Sequence, residues 1–190
     1  MGFTKAELEG YRDATVPDLI GPGCKLLFVG INPGLWTAAT GAHFARRGNR
    51  FWPALFRAGI IERPIDPSEG MSAEDAEYVI RRGVGISNLA PRATARADEL
   101  TTDELRSGTK ALEKLVADNQ VQVVAIAGIT AYRVAFDRRK ATVGRQPEDL
   151  AGAQLWVVPN PSGLNAHDTV ETLATAYGRV GTAAGVLVPG

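Results

Sequence analysis

The stretch KLLFVGINPG, residues 25–34, joins an apolar run to a turn that contains two glycines and a proline. An apolar run without alternating polar residues is typical of a strand that is buried on both faces, as in a parallel sheet covered by helices. The turn places one amide side chain, Asn32, at the mouth of this buried strand. We interpret Asn32 as the first candidate functional residue, since a polar side chain at such a position needs an explanation.

Outward from this stretch, strand patterns alternate with helical patterns. Further strands are predicted within VGISNLA (84–90), VQVVAIAGI (121–129) and AQLWVVPNPSG (153–163). Helices are predicted over residues 50–60, 72–83, 101–119, 130–139 and 167–185, with Asn49 capping the first of them. This alternation predicts an α/β fold with three α/β/α layers around a central, mostly parallel sheet.

The chain is predicted to form one domain. Residues 16–190 carry all the alternating elements, and residues 1–15 form an N-terminal extension that we expect to be a short helix or a loose tail. Residues 35–48 show little helical period and are predicted to be a long loop, which in a compact domain is often functional.

Composition excludes several classes of protein. The 21 basic and 21 acidic residues balance, so the chain lacks the strongly basic character of many nucleic-acid-binding domains, although a local basic patch stays open. One cysteine cannot form an intrachain disulfide, and with two histidines the chain lacks the roughly four ligands of a structural zinc or iron–sulfur site. We expect no cofactor, no metal and no membrane span, and a cytoplasmic protein.

Two Asn-Pro turns are expected to face the same crevice. GINPG follows the first strand and NPSGLN (160–165) follows the last, and ligands of parallel α/β sheets bind beyond the carboxyl ends of the strands. Taken alone, GINPG is equally compatible with a tight turn in which Asn32 bonds its own backbone. The second turn and the long loop favour a functional interpretation.

Other catalytic patterns fit poorly. Ser162 does not lie in a G-x-S-x-G elbow, and the chain has neither a G-x-G-x-x-G fingerprint nor a P-loop. Asp98 and Asp103 could be paired acids for glycoside chemistry, but a loop charge and a helix-start residue are the commoner roles for such positions.

Basic and aromatic side chains surround the expected crevice. Phosphate contacts are predicted for two basic groups, although a solvated surface position is the commoner role of any single member: Arg46, Arg47 and Arg50, and Arg138, Arg139, Lys140 and Arg145. Phe44 lies in the predicted loop and is a candidate for stacking on a planar ligand, whereas Phe51 and Trp52 are expected in the core.

Three segments together resemble one known family. FVGINPGLWTAATGAHFARRGNRFWPALFRAGI (28–60), GISNLAPRATARADEL (85–100) and LWVVPNPSGLN (155–165) are similar, in the same order, to the mismatch-specific uracil/thymine DNA glycosylases. The resemblance implies a uracil-DNA glycosylase-like fold for residues 16–190. It also implies a monomeric repair enzyme that binds double-stranded DNA, associates with the bacterial nucleoid, everts uracil and hydrolyses its N-glycosidic bond without a cofactor.

The resemblance also implies roles for individual residues. Asn32 would position the attacking water and be the catalytic residue. The backbone N–H groups near Ile31 and Phe44 would bind the uracil carbonyls, and Phe44 would stack on the ring. Asn88 would read the edge of the pyrimidine, and Thr37 would adjust the room around its C5 atom.

A second set would contact DNA outside the pocket. Gly163 and Leu164 would form the wedge that fills the gap left by the everted base, and Ser162 would bond a phosphate. Asn160, Arg46 and Arg47 complete the expected DNA-binding set. Two departures from the family pattern concern Ala166, which stands where a bacterial pattern has an arginine that would contact the opposite guanine, and RAT (92–94), which lacks a proline found in relatives.

Two alternatives remain open at this point. The same fold could serve a non-catalytic binder of damaged DNA, which would prefer uracil-bearing duplex without releasing a base. It could also serve a nucleoside hydrolase, whose binding of free deoxyuridine would depend little on salt.

Overall fold

The computed structural model describes residues 2–190. The helices are α1 Lys5–Glu9, α2 Leu35–Thr40, α3 Phe51–Arg57, α4 Ala73–Arg81, α5 Thr102–Asn119, α6 Ile129–Ala135 and α7 Val170–Ala184. The strands are β1 Leu26–Gly30, β2 Val84–Asn88, β3 Val123–Ala127, β4 Gly144–Leu150 and β5 Ala153–Val158. A short 3₁₀ turn covers Ala97–Glu99.

The five strands form one sheet in the order β2-β1-β3-β5-β4. Neighbours among β2, β1, β3 and β5 run parallel, and β4 pairs antiparallel with β5 at the edge. The prediction of an α/β fold with a mostly parallel sheet is therefore confirmed.

Helices cover both faces of this sheet. All five residues of β1 are buried, as the unbroken apolar run predicts. Because successive side chains of a strand point to opposite faces, Leu26 and Phe28 pack against α3, α4 and α7, whereas Leu27 and Val29 pack against α5 and α6. The helices on the two faces and the sheet between them make the three predicted layers.

Two elements differ from the prediction. Residues 35–40 form helix α2 and are not a loop. The helix is short, its N-cap Gly34 makes no side-chain cap bond, and Gly41 ends it with a φ of 69°, so the sequence offers too few turns to reveal a period.

The second difference is β4, which the sequence analysis missed. Its sequence GRQPEDL contains a proline and mostly exposed polar residues, and its register shifts between Arg145 and Asp149. Proline and bulges are typical of edge strands, where they hinder pairing with another chain.

Smaller differences concern helix starts. The N-cap of α3 is Arg50, although the side-chain oxygen of Asn49 accepts a hydrogen bond from the backbone N–H of Phe51 at 2.9 Å. Within residues 2–190, no helix is long and apolar enough to cross a bilayer, and no cluster of three metal-ligating side chains occurs.

Candidate active site

A crevice of about 560 Å³ opens at the carboxyl ends of the parallel strands. Strand β1 is followed by β2 on one side of the sheet, whereas its other neighbour, β3, is followed by β4 and β5 on the opposite side. Ligands of α/β sheets bind at such switch points, where neighbouring connections run in opposite directions. The crevice brings together nine of the predicted residues, namely Ile31, Asn32, Thr37, Phe44, Arg46, Asn88, Asn160, Ser162 and Leu164. Both Asn-Pro turns contribute to it, as expected.

The GINPG turn is held from one side by residues 89–94, the segment that follows β2. The carbonyls of Gly30, Ile31 and Pro33 accept backbone N–H groups from this segment at 2.9, 2.9 and 3.2 Å. The turn is therefore an extension of the β1–β2 pairing, and its backbone is fixed by bonds that do not depend on a ligand.

The side chain of Asn32 is oriented by its NH₂ group. Nδ2 donates to the carbonyl of Arg92 and to Oγ1 of Thr94, both at 2.8 Å, and to the carbonyl of Pro33 at 3.1 Å. The Thr94 hydroxyl itself donates to the carbonyl of Arg96 at 2.7 Å, so its oxygen faces Asn32 as an acceptor. With all three acceptors on the Nδ2 side, no residue in the described range donates to Oδ1, and this carbonyl oxygen is left for the crevice.

Thr94 is a site residue that the sequence analysis missed. It is 1% exposed and lies 62 positions after Asn32, at the end of RAT (92–94). Its contact with Asn32 is a long-range one, so no local pattern could have revealed it.

An ion pair anchors the same segment to α5. Arg92 Nε donates to Glu104 Oε1 at 2.7 Å, and Nη2 donates to Oε2 at 3.2 Å. The guanidinium of Arg92 lowers the pKa of Glu104 to about 2, with help from the backbone N–H of Thr101. The contact is partly exposed, so its effect on the free energy of unfolding is modest.

Phe44 and Gly30 form part of the wall of the crevice. Phe44 has a φ of 55°, which is rare for a bulky residue, and its ring stacks on Phe51 with centroids 4.1 Å apart. This leaves at most one ring face for a planar ligand. A Cβ on Gly30 would meet Asn88 Oδ1 at 2.7 Å and the Phe44 ring at 3.4 Å, so only glycine leaves room for these two side chains.

Several polar groups of the crevice have no partner within the described chain. The backbone N–H groups of Ile31 and Phe44 donate to no acceptor in residues 2–190. The side-chain amide of Asn88 likewise makes no hydrogen bond within these residues. Thr37 is buried, with 6% of its surface exposed. The crevice therefore offers neutral donors and acceptors, which suits an uncharged heterocycle that carries carbonyl and N–H groups.

His43 also lines the crevice, although the sequence analysis gave it no role there. It is 5% exposed, and its Nε2 lies 2.8 Å from the carbonyl of Pro17, so Nε2 carries the proton and donates. Burial lowers the pKa of His43, because the charged ring is disfavoured away from water.

The second Asn-Pro turn is held by a different set of bonds. Asn160 Oδ1 accepts the backbone N–H of Ser162 at 3.0 Å, and Ser162 Oγ accepts that of Leu164 at 3.2 Å. Arg50 ties this turn to α3: its backbone N–H donates to Pro161, and its Nη1 donates to the carbonyl of Asn165 at 2.8 Å.

The tip of this turn carries the predicted wedge. Leu164 is 73% exposed, the most exposed of the large apolar residues in the described chain. Gly163 does not line the crevice but abuts Gly48, where an added Cβ would lie 2.9 Å from the Gly48 carbonyl oxygen. The close approach joins the wedge turn to the loop that contains Arg46 and Arg47.

The basic side chains divide into two groups. Arg46 is exposed at the crevice, whereas Arg47 lines a neighbouring depression and lies 3.6 Å from Glu69. Arg138, Arg139 and Lys140 line a separate depression, in which Arg138 pairs with Glu148 at 3.0 Å. This group and Arg145 do not line the crevice, so the expectation that both groups flank it is not met.

The two candidate acids also separate. Asp98 lies at the rim of the crevice, where it pairs with Arg96 at 3.0 Å, and Asp103 lies in the first turn of α5. These are the loop charge and the helix-start residue that the sequence favoured. Asp98 is the only carboxylate that lines the crevice within the described residues.

Comparisons with known proteins agree with this architecture. A family model described as the uracil DNA glycosylase superfamily matches residues 17–177. Among solved structures, the chain is similar to the solution NMR structure of "a putative Uracil DNA glycosylase from Methanosarcina acetivorans". The two share 13% sequence identity with a TM-score of 0.57, and the match covers 87% of this chain and 96% of that chain. At this identity the likeness shows a common fold.

Proposed function

The chain belongs to the uracil DNA glycosylase superfamily, and on this premise we propose that it is a monofunctional DNA glycosylase that excises uracil from double-stranded DNA, above all from U·G mismatches. A base in the helical stack is out of reach of the crevice, so the nucleotide has to be everted. The crevice lies beyond the strand ends, and its lining includes the neutral amides of Asn32 and Asn88, which fit a pyrimidine that carries two carbonyls and one ring N–H.

The observation that carries the proposal is the orientation of Asn32. Its Nδ2 is occupied by the Arg92 carbonyl and Thr94 Oγ1, so its Oδ1 is free to accept a hydrogen bond from a water in the crevice. A water held in this way can be aligned with C1′ of an everted deoxyuridine. A neutral amide is a poor base, so the gain comes from orientation of the water and not from removal of its proton.

The bond changes in this reaction balance without a cofactor. The C1′–N1 bond breaks through an oxocarbenium-like sugar, and its electron pair leaves with the uracil ring. The water oxygen then bonds to C1′ and releases a proton to solvent. The unpaired backbone N–H groups of Ile31 and Phe44 are suited to stabilise the charge that develops on the uracil carbonyls.

Eversion would be assisted by the wedge turn. Leu164 is exposed and apolar, so its insertion into the vacated stack would remove its surface from water. Ser162 and Arg46 lie beside the same crevice and are suited to phosphate contacts. Thr37 sets the room available to a 5-substituent, so it bears on whether thymine is also accepted.

Preference for guanine opposite the lesion is the finer part of the proposal. Ala166 cannot make the polar contact that an arginine makes in the bacterial pattern, and the following residue, His167, is exposed. We therefore expect the ratio of U·G to U·A cleavage to be moderate.

Single-turnover release of base from U·G, U·A and T·G duplexes and from single-stranded uracil DNA tests the proposal. We expect release from U·G to be fastest. Preferential binding of uracil-bearing duplex without release would identify a damage binder instead. Hydrolysis of free deoxyuridine, with binding that is insensitive to salt, would identify a nucleoside hydrolase.

A further inference from the structure

An N-terminal strap, residues 3–14, lies before the part of the chain that the superfamily model matches. Its helix α1 begins with a capping box between Thr4 and Glu7. Phe3 packs edge-on against Trp36 of α2, with ring centroids 5.0 Å apart. The strap is therefore a folded part of the domain that contacts an element of the crevice wall.

The end of the strap forms a two-way backbone bridge with Ala93. The N–H of Asp13 donates to the Ala93 carbonyl, and the N–H of Ala93 donates to the Ala14 carbonyl, both at 2.9 Å. Asp13 has a φ of 66°, a left-handed conformation that aspartate adopts more readily than most residues. Its Oδ1 also accepts a hydrogen bond from Arg92 Nη1 at 2.9 Å.

The residues on either side of Ala93 hold the amide of Asn32. The carbonyl of Arg92 and the hydroxyl of Thr94 are its two acceptors at 2.8 Å. One tripeptide therefore binds the strap through its middle residue and the candidate catalytic amide through its outer residues. Residues 91–96 belong to no helix or strand, so their position depends on such individual contacts.

We propose that the strap is a positioning element of the active site and that Asp13 is its positioning residue. This inference rests on the proposed function, because it gives the strap a part in base excision. Asp13 touches no substrate; it fixes the 92–94 tripeptide, and the tripeptide keeps Oδ1 of Asn32 directed at the water. Loss of the bridge should lower the rate of the chemical step and leave the affinity for DNA unchanged.

The test compares point variants of the full chain in single-turnover uracil release at saturating enzyme. Asp13→Pro removes the N–H and cannot adopt the left-handed φ. Asp13→Asn keeps both the conformation and an acceptor oxygen for Arg92. Asp137→Pro is the matched control, because Asp137 also has a left-handed φ, 52°, and lines a depression separate from the crevice.

We expect Asp13→Pro to slow release by up to about 10-fold, less than the roughly 10²-fold loss of a group misplaced by 1 Å because Asp13 acts through the tripeptide, with DNA affinity within about 2-fold of wild type. Asp13→Asn and Asp137→Pro should keep the wild-type rate. Equal rates for Asp13→Pro and Asp137→Pro would overturn the inference, as would failure of Asp13→Asn to restore release. Should Asp13→Pro not fold, Asp13→Lys, which sets a cation against Arg92, is expected to slow release in the same way.

A second measurement separates the strap from the proposed function. In the ¹⁵N-labelled protein without DNA, Asp13→Pro should shift the side-chain amide resonance of Asn32 and speed hydrogen exchange at the Ala93 N–H, while Asp137→Pro should do neither. If the wild-type protein releases no base from any substrate, the proposed function fails, and these two signals alone decide whether the strap positions Asn32.

Discussion

The two Asn-Pro turns of the crevice use the same dipeptide in opposite ways. Asn32 donates its NH₂ to Arg92 and Thr94 and keeps its carbonyl oxygen free. The side-chain carbonyl oxygen of Asn160 accepts a hydrogen bond from the backbone N–H of Ser162, two residues on, which makes this turn an Asx turn. Both asparagines therefore stabilise their turns, but Asn160 does so with its carbonyl oxygen. Asn32 uses only its NH₂ group, which also contacts the Pro33 carbonyl at 3.1 Å, so its oxygen stays available to the crevice.

The supports of the two turns differ as well. The first turn is fixed by segment 89–94, which is buried except at Pro91 and Arg92 and in which Thr94 is 1% exposed. The second ends in Leu164, which is 73% exposed. A preformed turn suits a chemical step that needs accurate alignment of the reacting groups. An exposed apolar side chain, by contrast, contributes hydrophobic free energy only when a binding partner buries it. Substitutions in the first turn should therefore affect the chemical step, and those in the second should affect eversion.

The largest effect is expected for Asn32→Ala. Loss of the group that aligns the water should reduce single-turnover uracil release by about 10²–10³-fold, the range for removal of one preorganised polar group. Asn160→Ala is the matched control, and we expect it to alter duplex affinity more than the rate at saturation. Fluorescence anisotropy of a U·G duplex measures the affinity, which Asn32→Ala should leave intact. A rate for Asn32→Ala near that of Asn160→Ala would show that the two turns do not differ in this way.

Thr94→Val should have the next largest effect. It keeps the shape of the side chain but deprives Asn32 Nδ2 of one acceptor and the Arg96 carbonyl of its donor. We expect release to fall by about 10-fold and the free energy of unfolding to drop by about 1–3 kcal/mol, because polar groups lose their partners at a buried position. Thr94→Ser, which retains the hydroxyl, should recover most of the rate. If Thr94→Val and Thr94→Ser release uracil equally well, the hydroxyl does not orient Asn32.

Leu164→Ala probes the second turn. Because the side chain is exposed, the thermal midpoint should not change, but the wedge loses most of its apolar surface. We expect release from duplex DNA to fall about 10-fold, in line with the transfer free energy of a leucine side chain, and release from single-stranded DNA to stay the same. An equal loss on both substrates would mean that Leu164 does not act as the wedge.

Much of the fold is predictable because it depends on local patterns. The run of β1 is apolar throughout since both of its faces are buried, and the alternation of such runs with helices predicts the parallel sheet. Strand β4 was not predicted, because its exposed residues and Pro147 follow no strand pattern. Helix α2 was not predicted, because six residues are too few to show a helical period.

The candidate site, too, is predictable only where it depends on local sequence. Asn32 is recognisable from GINPG, because this motif places a polar residue at the end of an apolar strand. The orientation of its amide is not, because it depends on Thr94 and Arg92, which are about 60 positions away in the chain. The shared Asn-Pro dipeptide alone does not distinguish Asn32 from Asn160; the family resemblance separates their roles, and the structure shows that their hydrogen-bond partners differ.

The smallest effect should appear at the far end of the support of the first turn, where Arg92 pairs with Glu104. The pKa of Glu104 is lowered to about 2, below its ordinary value of 4.5, so the folded state binds its proton less readily than the unfolded chain. The stabilisation that the Arg92–Glu104 pair gives the folded state is complete above the pKa of Glu104 in the unfolded chain. It is lost as the pH falls toward the pKa of Glu104 in the folded protein. Glu104→Gln should therefore flatten the decline of the thermal midpoint between about pH 5 and about pH 2, and added salt should weaken the difference. Glu113→Gln, at an exposed position of the same helix, is the matched control. A Glu104→Gln curve parallel to that of wild type would show that the first turn is held by its hydrogen bonds alone.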